Sequence, residues 1–230
     1  MKTEVKAYAK INLLLDIVAT RKDGYHDLFM IMQSVGIYDT VTVSKQKGRK
    51  ITLSCNLDSI PVDEKNIAYK AAVAFFDACK IKNTGIHIDI VKRIPHAAGL
   101  AGGSADGAAV IIALNEIYKT NLSDKELCKI GVKVGADVPF CITGGTLLSQ
   151  GIGEVLSAIQ SRDLALICSK MENVFEQFIE VPNRIDMKQI MRNNNALGTC
   201  MSGSGPTVFG IFENKNDAEK AAEELKVYAK

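Results

Sequence analysis

The sequence has no tryptophan, no C-x-x-C pair, almost no net charge and no long apolar run, and each absence removes a class of function. Lys and Arg number 28 against 26 Asp and Glu, a balance too even to hold duplex nucleic acid or an anionic membrane by bulk charge. The six cysteines, Cys55, Cys79, Cys128, Cys141, Cys168 and Cys200, are scattered without the Cys/His spacing of a zinc site, so reduced, mostly buried thiols are expected. The apolar run from Ile11 to Ala19 is broken by Asn12 and Asp16, with Lys10 just ahead of it and no small-residue cleavage site behind it. That is not the pattern of a signal peptide. No other stretch approaches the length of a membrane span, and the expected location is the cytoplasm.

What is present is a chain of 230 residues, 47% hydrophobic, ample for a buried core in one large domain or two modest ones. From Ala7 to Val18 the residues alternate, with Ala7, Ala9, Ile11, Leu13, Leu15 and Ile17 on one face and Lys10, Asn12 and Asp16 on the other, which predicts a strand with a polar row. Asp23-Gly24 is a turn signal ahead of a second apolar run, Leu28 to Ile37. Further strands are expected at 40–44, 51–55 and 86–91, with an alanine-rich helix over 67–79.

A glycine-rich stretch, Gly99-Leu100-Ala101-Gly102-Gly103-Ser104, follows the 86–91 strand, and residues 105–118 behind it are apolar nearly all round, as in a helix buried in a core. Ser123 to Glu126 forms a capping box for a helix that runs to Val134 and closes at Gly135. A soft domain boundary falls near Ala158, dividing the chain into 1–158 and 159–230. The tail carries a strand signal at 207–212 and a charged amphipathic helix at 217–228. Strands and helices mixed without regular βαβ alternation favour an α+β fold.

Glycines let a backbone approach an anion closely, and a helix N-terminus adds unpaired N–H groups and about half a positive charge. The 99–104 stretch offers both, yet it is neither a Walker A loop nor G-x-G-x-x-G. Taken alone it is equally a small-residue turn that lets a helix pack. A second glycine-rich loop, Met201-Ser202-Gly203-Ser204-Gly205-Pro206-Thr207, lies next to the later strand signal. Lys10 alone on a strand is ordinarily solvated, and Asp137 alone is ordinarily a turn residue.

Together the motifs resemble a known family. Pro95-His96-Ala97-Ala98-Gly99-Leu100-Ala101-Gly102-Gly103-Ser104-Ala105-Asp106 resembles the ATP-binding motif of the GHMP kinase superfamily, and Ser202 to Pro206 resembles its third motif. Ala9 to Leu13, Asp23-Gly24-Tyr25-His26 and Gly135 to Phe140 are similar to the branch acting on a cytidine-bearing alcohol. The resemblance implies a two-domain α+β kinase, with an N-terminal domain like ribosomal protein S5 and a shortened ferredoxin-like C-terminal domain. It implies ATP and Mg2+, and a small-molecule partner, a cytidine-diphosphate-linked methylerythritol. No nucleic acid or membrane partner is implied, and the chain would be a monomer or weak homodimer.

Carried over by position, Lys10 and Asp137 are the catalytic pair, with Asp137 also contacting the acceptor. Pro95, Ala97, Ala98, Gly99, Leu100, Ala101, Gly102, Gly103 and Ser104 would bind the nucleotide, and Ser104 would also stand by the metal. Asn12, Tyr25, His26, Gly203 and Ser204 would bind the acceptor. A carboxylate ~4 Å from an ammonium at an effective dielectric of ~20 gains about 4 kcal/mol of attraction, which suits a reaction needing positioning and charge neutralisation more than a strong base.

The sequence departs from the family after the strand-like Ala165 to Cys168. It passes through 169–174 straight into what resembles a later family helix, without the Pro- and Ser/Thr-containing segment that in relatives helps enclose the cytidine end. Two rival readings stand beside the cytidyl-alcohol one. The first is a GHMP kinase of homoserine, mevalonate or a sugar, against which Lys10 and Asp23 to His26 speak. The second is a non-catalytic RNA binder, against which the even charge, the lack of Trp and the two glycine loops speak.

Overall fold

The computed structural model describes residues 1–20, 26–82, 84–149 and 162–228. The described chain forms two compact units, each assembled from two stretches: residues 1–10 with 34–145, and residues 11–33 with 146–230. Two long strands, β1 (Lys2–Thr20) and β2 (His26–Lys45), change unit along their length. The runs expected at 28–37 and 40–44 are therefore one continuous strand; Tyr38 and Asp39 between them carry no glycine or proline to break it. The turn expected at Asp23-Gly24, and Tyr25 with it, lies outside the described residues.

In the first unit the sheet order is β3 (Ile51–Cys55), β4 (Ile86–Val91), β2, β1. β4 runs parallel to β3 and antiparallel to β2, with Val41 opposite Ile90 and Val43 opposite Ile88. Ile86, Ile88 and Ile90 are fully buried while the residues between them are half-buried, the period-2 alternation of a sheet with one core face. α1 (Ile67–Cys79) and α2 (Gly102–Tyr118) belong to the same core. Asn66 caps α1 by accepting from the Ala68 N–H at 2.8 Å. Phe75 on α1 is fully buried, and such a side chain contributes roughly 1.5–3 kcal/mol by leaving water.

α2 is buried nearly all round, as its composition predicts. It begins at Gly102, inside the glycine stretch and three residues ahead of the expected start. Two of its glycines let α1 come close: a Cβ at Gly107 would stand 2.9 Å from Ile67 Cγ2, and one at Gly103 3.2 Å from Ile67 Cδ1. α3 (Asp124–Gly131) opens on the capping box, in which the Glu126 carboxylate accepts from the Ser123 N–H and hydroxyl at 2.9 and 2.7 Å. It ends at Gly131, earlier than Val134, because the chain turns there toward a further short helix, α4 (Val138–Thr143), with Pro139 in its first turn.

In the second unit β5 (Thr146–Ser149) pairs antiparallel with β2, and β6 (Glu172–Asn173) pairs parallel with β1 through Leu14 and Leu15. Between them lies α5 (Leu164–Ser169). The run expected as a strand at 165–168 is thus helical: Asp163 accepts from the Leu166 N–H at 3.0 Å and starts a turn that the apolar residues alone do not reveal. A 3₁₀ turn (Val174–Gln177), α6 (Arg184–Asn193), the antiparallel pair β7 (Gly198–Met201) and β8 (Val208–Ile211), and α7 (Lys215–Leu225) complete the unit. Leu13, Leu14, Phe29 and Ile31 form its core cluster, against which Leu148, Met171, Phe209 and Ile211 pack. Among the described residues no helix is long and apolar enough to cross a membrane.

Candidate active site

The glycine stretch is a backbone-exposing loop set on the N-terminus of a long helix. Ala97, Gly99 and Ala101 take positive φ values of 53°, 75° and 56°, so the backbone is left-handed at every second residue from 97 to 101. Ala97 and Ala101 do so against the preference of residues with a Cβ. The first i→i−4 bond of α2 runs from the Ala105 N–H to the Ala101 carbonyl at 2.9 Å. The N–H groups of Gly102, Gly103 and Ser104 precede it and have no carbonyl of their own helix to meet, which is what makes a helix start attractive to an anion. Pro95, His96 and Ala97 are exposed, Ala98 and Leu100 are buried anchors, and Gly103 faces solvent.

Lys10 is not solvated. It is 4% exposed, and its ammonium donates to the Gly99 carbonyl at 3.1 Å while its backbone N–H donates to the Leu100 carbonyl at 3.1 Å. Burial lowers its pKa from the usual 10.5, against the opposing pull of the Asp137 carboxylate and the Cys141 thiol. Lys10 and Asp137 are thus brought within electrostatic reach of each other beside the loop. Asp137 is half-buried at the N-cap of α4, and its side chain makes no capping bond to that helix. The Ser104 hydroxyl lies near Gly135, two residues before Asp137: a Cβ there would stand 3.9 Å from its oxygen.

Beneath the loop is a charged cluster that sequence reasoning missed. The Lys92 ammonium bonds the carboxylates of Asp39 and Asp106, the latter at 2.8 Å, and all three side chains are at most 5% exposed. Asp39 also accepts from the backbone N–H groups of Arg93 and Ile94. Burial lifts the Asp106 carboxyl to about 7, against the pull of Lys92. The one sequence signal was position: Lys92 follows the 86–91 strand and Asp106 ends the quoted glycine motif.

The second unit holds the other loop. Asn12 is fully buried, and its carbonyl oxygen accepts from the Gly203 N–H at 3.0 Å. Ser202 and Gly205 close the loop through bonds to Thr207 and Ser202, and Gly203 and Gly205 have φ of 55° and 78°. Ser204 is exposed at its tip. Asn173 and Glu176, which the sequence did not single out, hold it from behind. Asn173 Nδ2 donates to the Met201 and Gly203 carbonyls at 2.7 and 2.8 Å, and Glu176 accepts from the Met201 N–H at 2.7 Å. No motif marked either, because each works through backbone atoms far along the chain. Tyr25 lies outside the described residues and the His26 side chain is not described, so their expected places are untouched by the geometry. Among the described residues no three His, Cys, Asp or Glu side chains gather as a metal cluster.

The loop and its neighbours have known counterparts. Residues 66–145 match the GHMP kinases N-terminal domain and residues 155–230 the GHMP kinases C-terminal domain. A 4-diphosphocytidyl-2-C-methyl-D-erythritol kinase of Caldicellulosiruptor bescii is 42% identical, with 99% of this chain and 95% of that protein aligned. The alignment runs over 275 positions against a chain of 230 residues, so internal stretches of that relative have no counterpart here. The crystal structure of a 4-(cytidine 5'-diphospho)-2C-methyl-D-erythritol kinase superposes with a TM-score of 0.75 at 27% identity, covering 98% of this chain and 96% of that one. A homoserine kinase of Cytophaga hutchinsonii reaches a TM-score of 0.79 over 98% and 90% of the two chains, but at 18% identity it speaks for the fold alone. A glycine loop on a buried helix, a lysine anchored to it and near-full-length likeness to one kinase group lead to the same place: the chain belongs to the GHMP kinases, in the family of the 4-diphosphocytidyl-2-C-methyl-D-erythritol kinases.

Proposed function

We propose that this chain transfers the γ-phosphoryl group of ATP to the 2-hydroxyl of 4-diphosphocytidyl-2-C-methyl-D-erythritol, a step of the non-mevalonate route to isoprenoid precursors. The observation that carries the reading is Lys10, a buried ammonium tied to the phosphate loop at Gly99 and set beside Asp137. An ammonium is expensive to bury without a task or a partner, and here a carbonyl of the glycine loop and a carboxylate at the start of α4 make it a charge-stabilising group.

In this reading the residues from Pro95 to Ser104 cradle the phosphates through backbone N–H groups and the helix dipole. Asp137 orients the acceptor hydroxyl and takes its proton as the new O–P bond forms and the bond from the γ-phosphorus to the β-bridging oxygen breaks, releasing ADP. Lys10 balances the charge that develops on the transferring oxygens, which is the main demand of a loose phosphoryl-transfer transition state. Asn12, Gly203 and Ser204, with Tyr25 and His26, would receive the cytidyl alcohol. Mg2+ takes few protein ligands and keeps water in its shell, so the single hydroxyl of Ser104 fits it. There it would add neutralising charge to the phosphates.

The test is ADP release, measured by coupled assay, with the cytidyl alcohol, homoserine and mevalonate offered in parallel. Turnover with the cytidyl alcohol at a kcat/KM at least a hundredfold above the other two is expected. Preference for homoserine or mevalonate would move the chain to another branch of the same family, and no turnover with any would remove the catalytic reading.

A further inference from the structure

We infer that Lys92 is a positioning residue for the nucleotide: held between Asp39 and Asp106, it fixes the path of the phosphate loop from below without touching substrate. This inference rests on the reading that nucleotide phosphates sit on residues 95–104.

Three elements meet at the Lys92 ammonium. Asp39 comes from the middle of β2, Lys92 from the exit of β4, and Asp106 from the second turn of α2. The ammonium bonds both carboxylates, while Asp39 Oδ1 accepts the backbone N–H groups of Arg93 and Ile94, the two residues that lead into the loop. Upstream, the Lys92 N–H donates to the Asn56 side chain at 2.7 Å. At the far end of the loop, a Cβ added to Gly102 would stand 3.2 Å from Lys92 Nζ and 3.0 Å from Ile94 Cγ2. The cluster therefore grips the loop where it leaves the sheet and touches it where it enters the helix.

Stability alone is a poor reason for such a cluster. Two carboxylates and one ammonium, all nearly excluded from water, lose more hydration than their attraction easily restores, and apolar side chains of the same shape often hold a core as well. What apolar residues lack is direction. Asp39 fixes two successive backbone N–H groups, and Lys92 sets the spacing between that point and the first turn of α2. The loop between them runs through three residues at positive φ, so small changes at its ends would rotate the N–H groups of 102–104 away from a bound phosphate.

The experiment compares wild type with Asp39→Asn and with the charge-free triple variant Asp39→Asn/Lys92→Met/Asp106→Asn. A cooperative thermal melt reports folding, titration calorimetry reports ADP affinity, and steady-state kinetics report KM for ATP and for the acceptor. The triple variant should bind ADP at least tenfold more weakly and Asp39→Asn at least threefold more weakly, with KM for ATP rising in step and acceptor KM staying within twofold. Either variant folding cooperatively and binding ADP within twofold of wild type would overturn the inference. If the triple variant does not fold, Asp39→Asn decides alone. ADP affinity reads the loop without the acceptor, so wild type that binds ADP but ignores the cytidyl alcohol fails the proposed reaction and leaves this inference standing. Wild type that does not bind ADP removes both.

Discussion

The Lys10 ammonium and the Gly99 carbonyl lie 3.1 Å apart, next to a second bond from the Lys10 backbone N–H to Leu100. One strand residue thus holds two consecutive carbonyls of the glycine loop. Removing its side chain should damage more than charge balance. Lys10→Met is expected to lower kcat by ~100-fold or more and also to raise KM for ATP severalfold, the scale lost when a stabilising group is removed from a developing charge. Asp137→Asn, which leaves the Gly99 contact intact, should lower kcat alone. Steady-state kinetics on both variants separate the two patterns, and an unchanged kcat in either would unseat that residue.

Lys10 should also set an alkaline limit on turnover. Its pKa lies below 10.5 because burial disfavours the ammonium, with Asp137 and Cys141 only partly offsetting this. A group needed in its protonated form supports activity below its pKa and loses it as pH rises through that value. A plot of kcat against pH should therefore fall on the alkaline side before 10.5, and Lys10→Arg, which stays charged there, should shift that limb upward at lower absolute rate.

Two thiols should ignore alkylating reagents. Burial pushes both Cys141 and Cys200 up to about 12, leaving roughly one thiolate in ten thousand at pH 8. Iodoacetamide on the native protein should label the half-buried Cys55 and Cys128 and spare Cys141 and Cys200 in peptide mass spectra. Turnover should survive the treatment, although Cys141 neighbours Lys10.

Glu176 ties the second glycine loop to acid stability. Burial raises its pKa, but the bonds from Lys188 and from the Met201 N–H outweigh that and bring it below 4.5. A carboxyl with a depressed folded pKa stabilises the fold above its unfolded value and loses that contribution as pH falls through the folded one. Denaturant melts of Glu176→Gln should show lower stability than wild type at pH 7, with the gap closing as pH falls below about 4.5. A gap constant from pH 7 to pH 3 would exclude the linkage.

Tyr25 is the residue whose assignment leans most on resemblance. If it offers its ring to the cytosine, Tyr25→Ala should raise KM for the cytidyl alcohol at least tenfold while KM for ATP moves by less than twofold. Equal rises in both would withdraw it from the acceptor site.

The regular elements of the first unit were legible because their signals are local. Ile51–Cys55, Ile67–Cys79 and Ile86–Val91 appear within the expected bounds, the last marked by its alternation and the helix by its run of alanines. Signals that depend on tertiary partners misled or were silent. Lys10 and Asn12 read as a polar row on a strand, yet both are buried, because the partners that satisfy them, Gly99 and Gly203, are remote in the chain. Ala165 to Cys168 read as a strand, since four small and apolar residues have no period and only the bond from Leu166 to Asp163 decides for helix. Lys92 and Asp39 looked like ordinary charged residues because nothing nearby in sequence says they share a buried carboxylate–ammonium cluster.

The division of the chain into interleaved stretches has a consequence for its synthesis. Residues 11–33 belong with 146–230, and their cluster of Leu13, Leu14, Phe29 and Ile31 is covered by Leu148, Met171, Phe209 and Ile211. At a ribosomal rate of ~5–20 residues per second, the early stretch waits roughly ten seconds for the segments that cover it. Through that interval the nascent chain carries an apolar surface without its partners, while the intervening residues 34–145 have already emerged. Residues 11–33 are thus made before 34–145 and completed after them, and substitutions on their apolar face should weigh more on yield in the cell than on the stability of the finished enzyme.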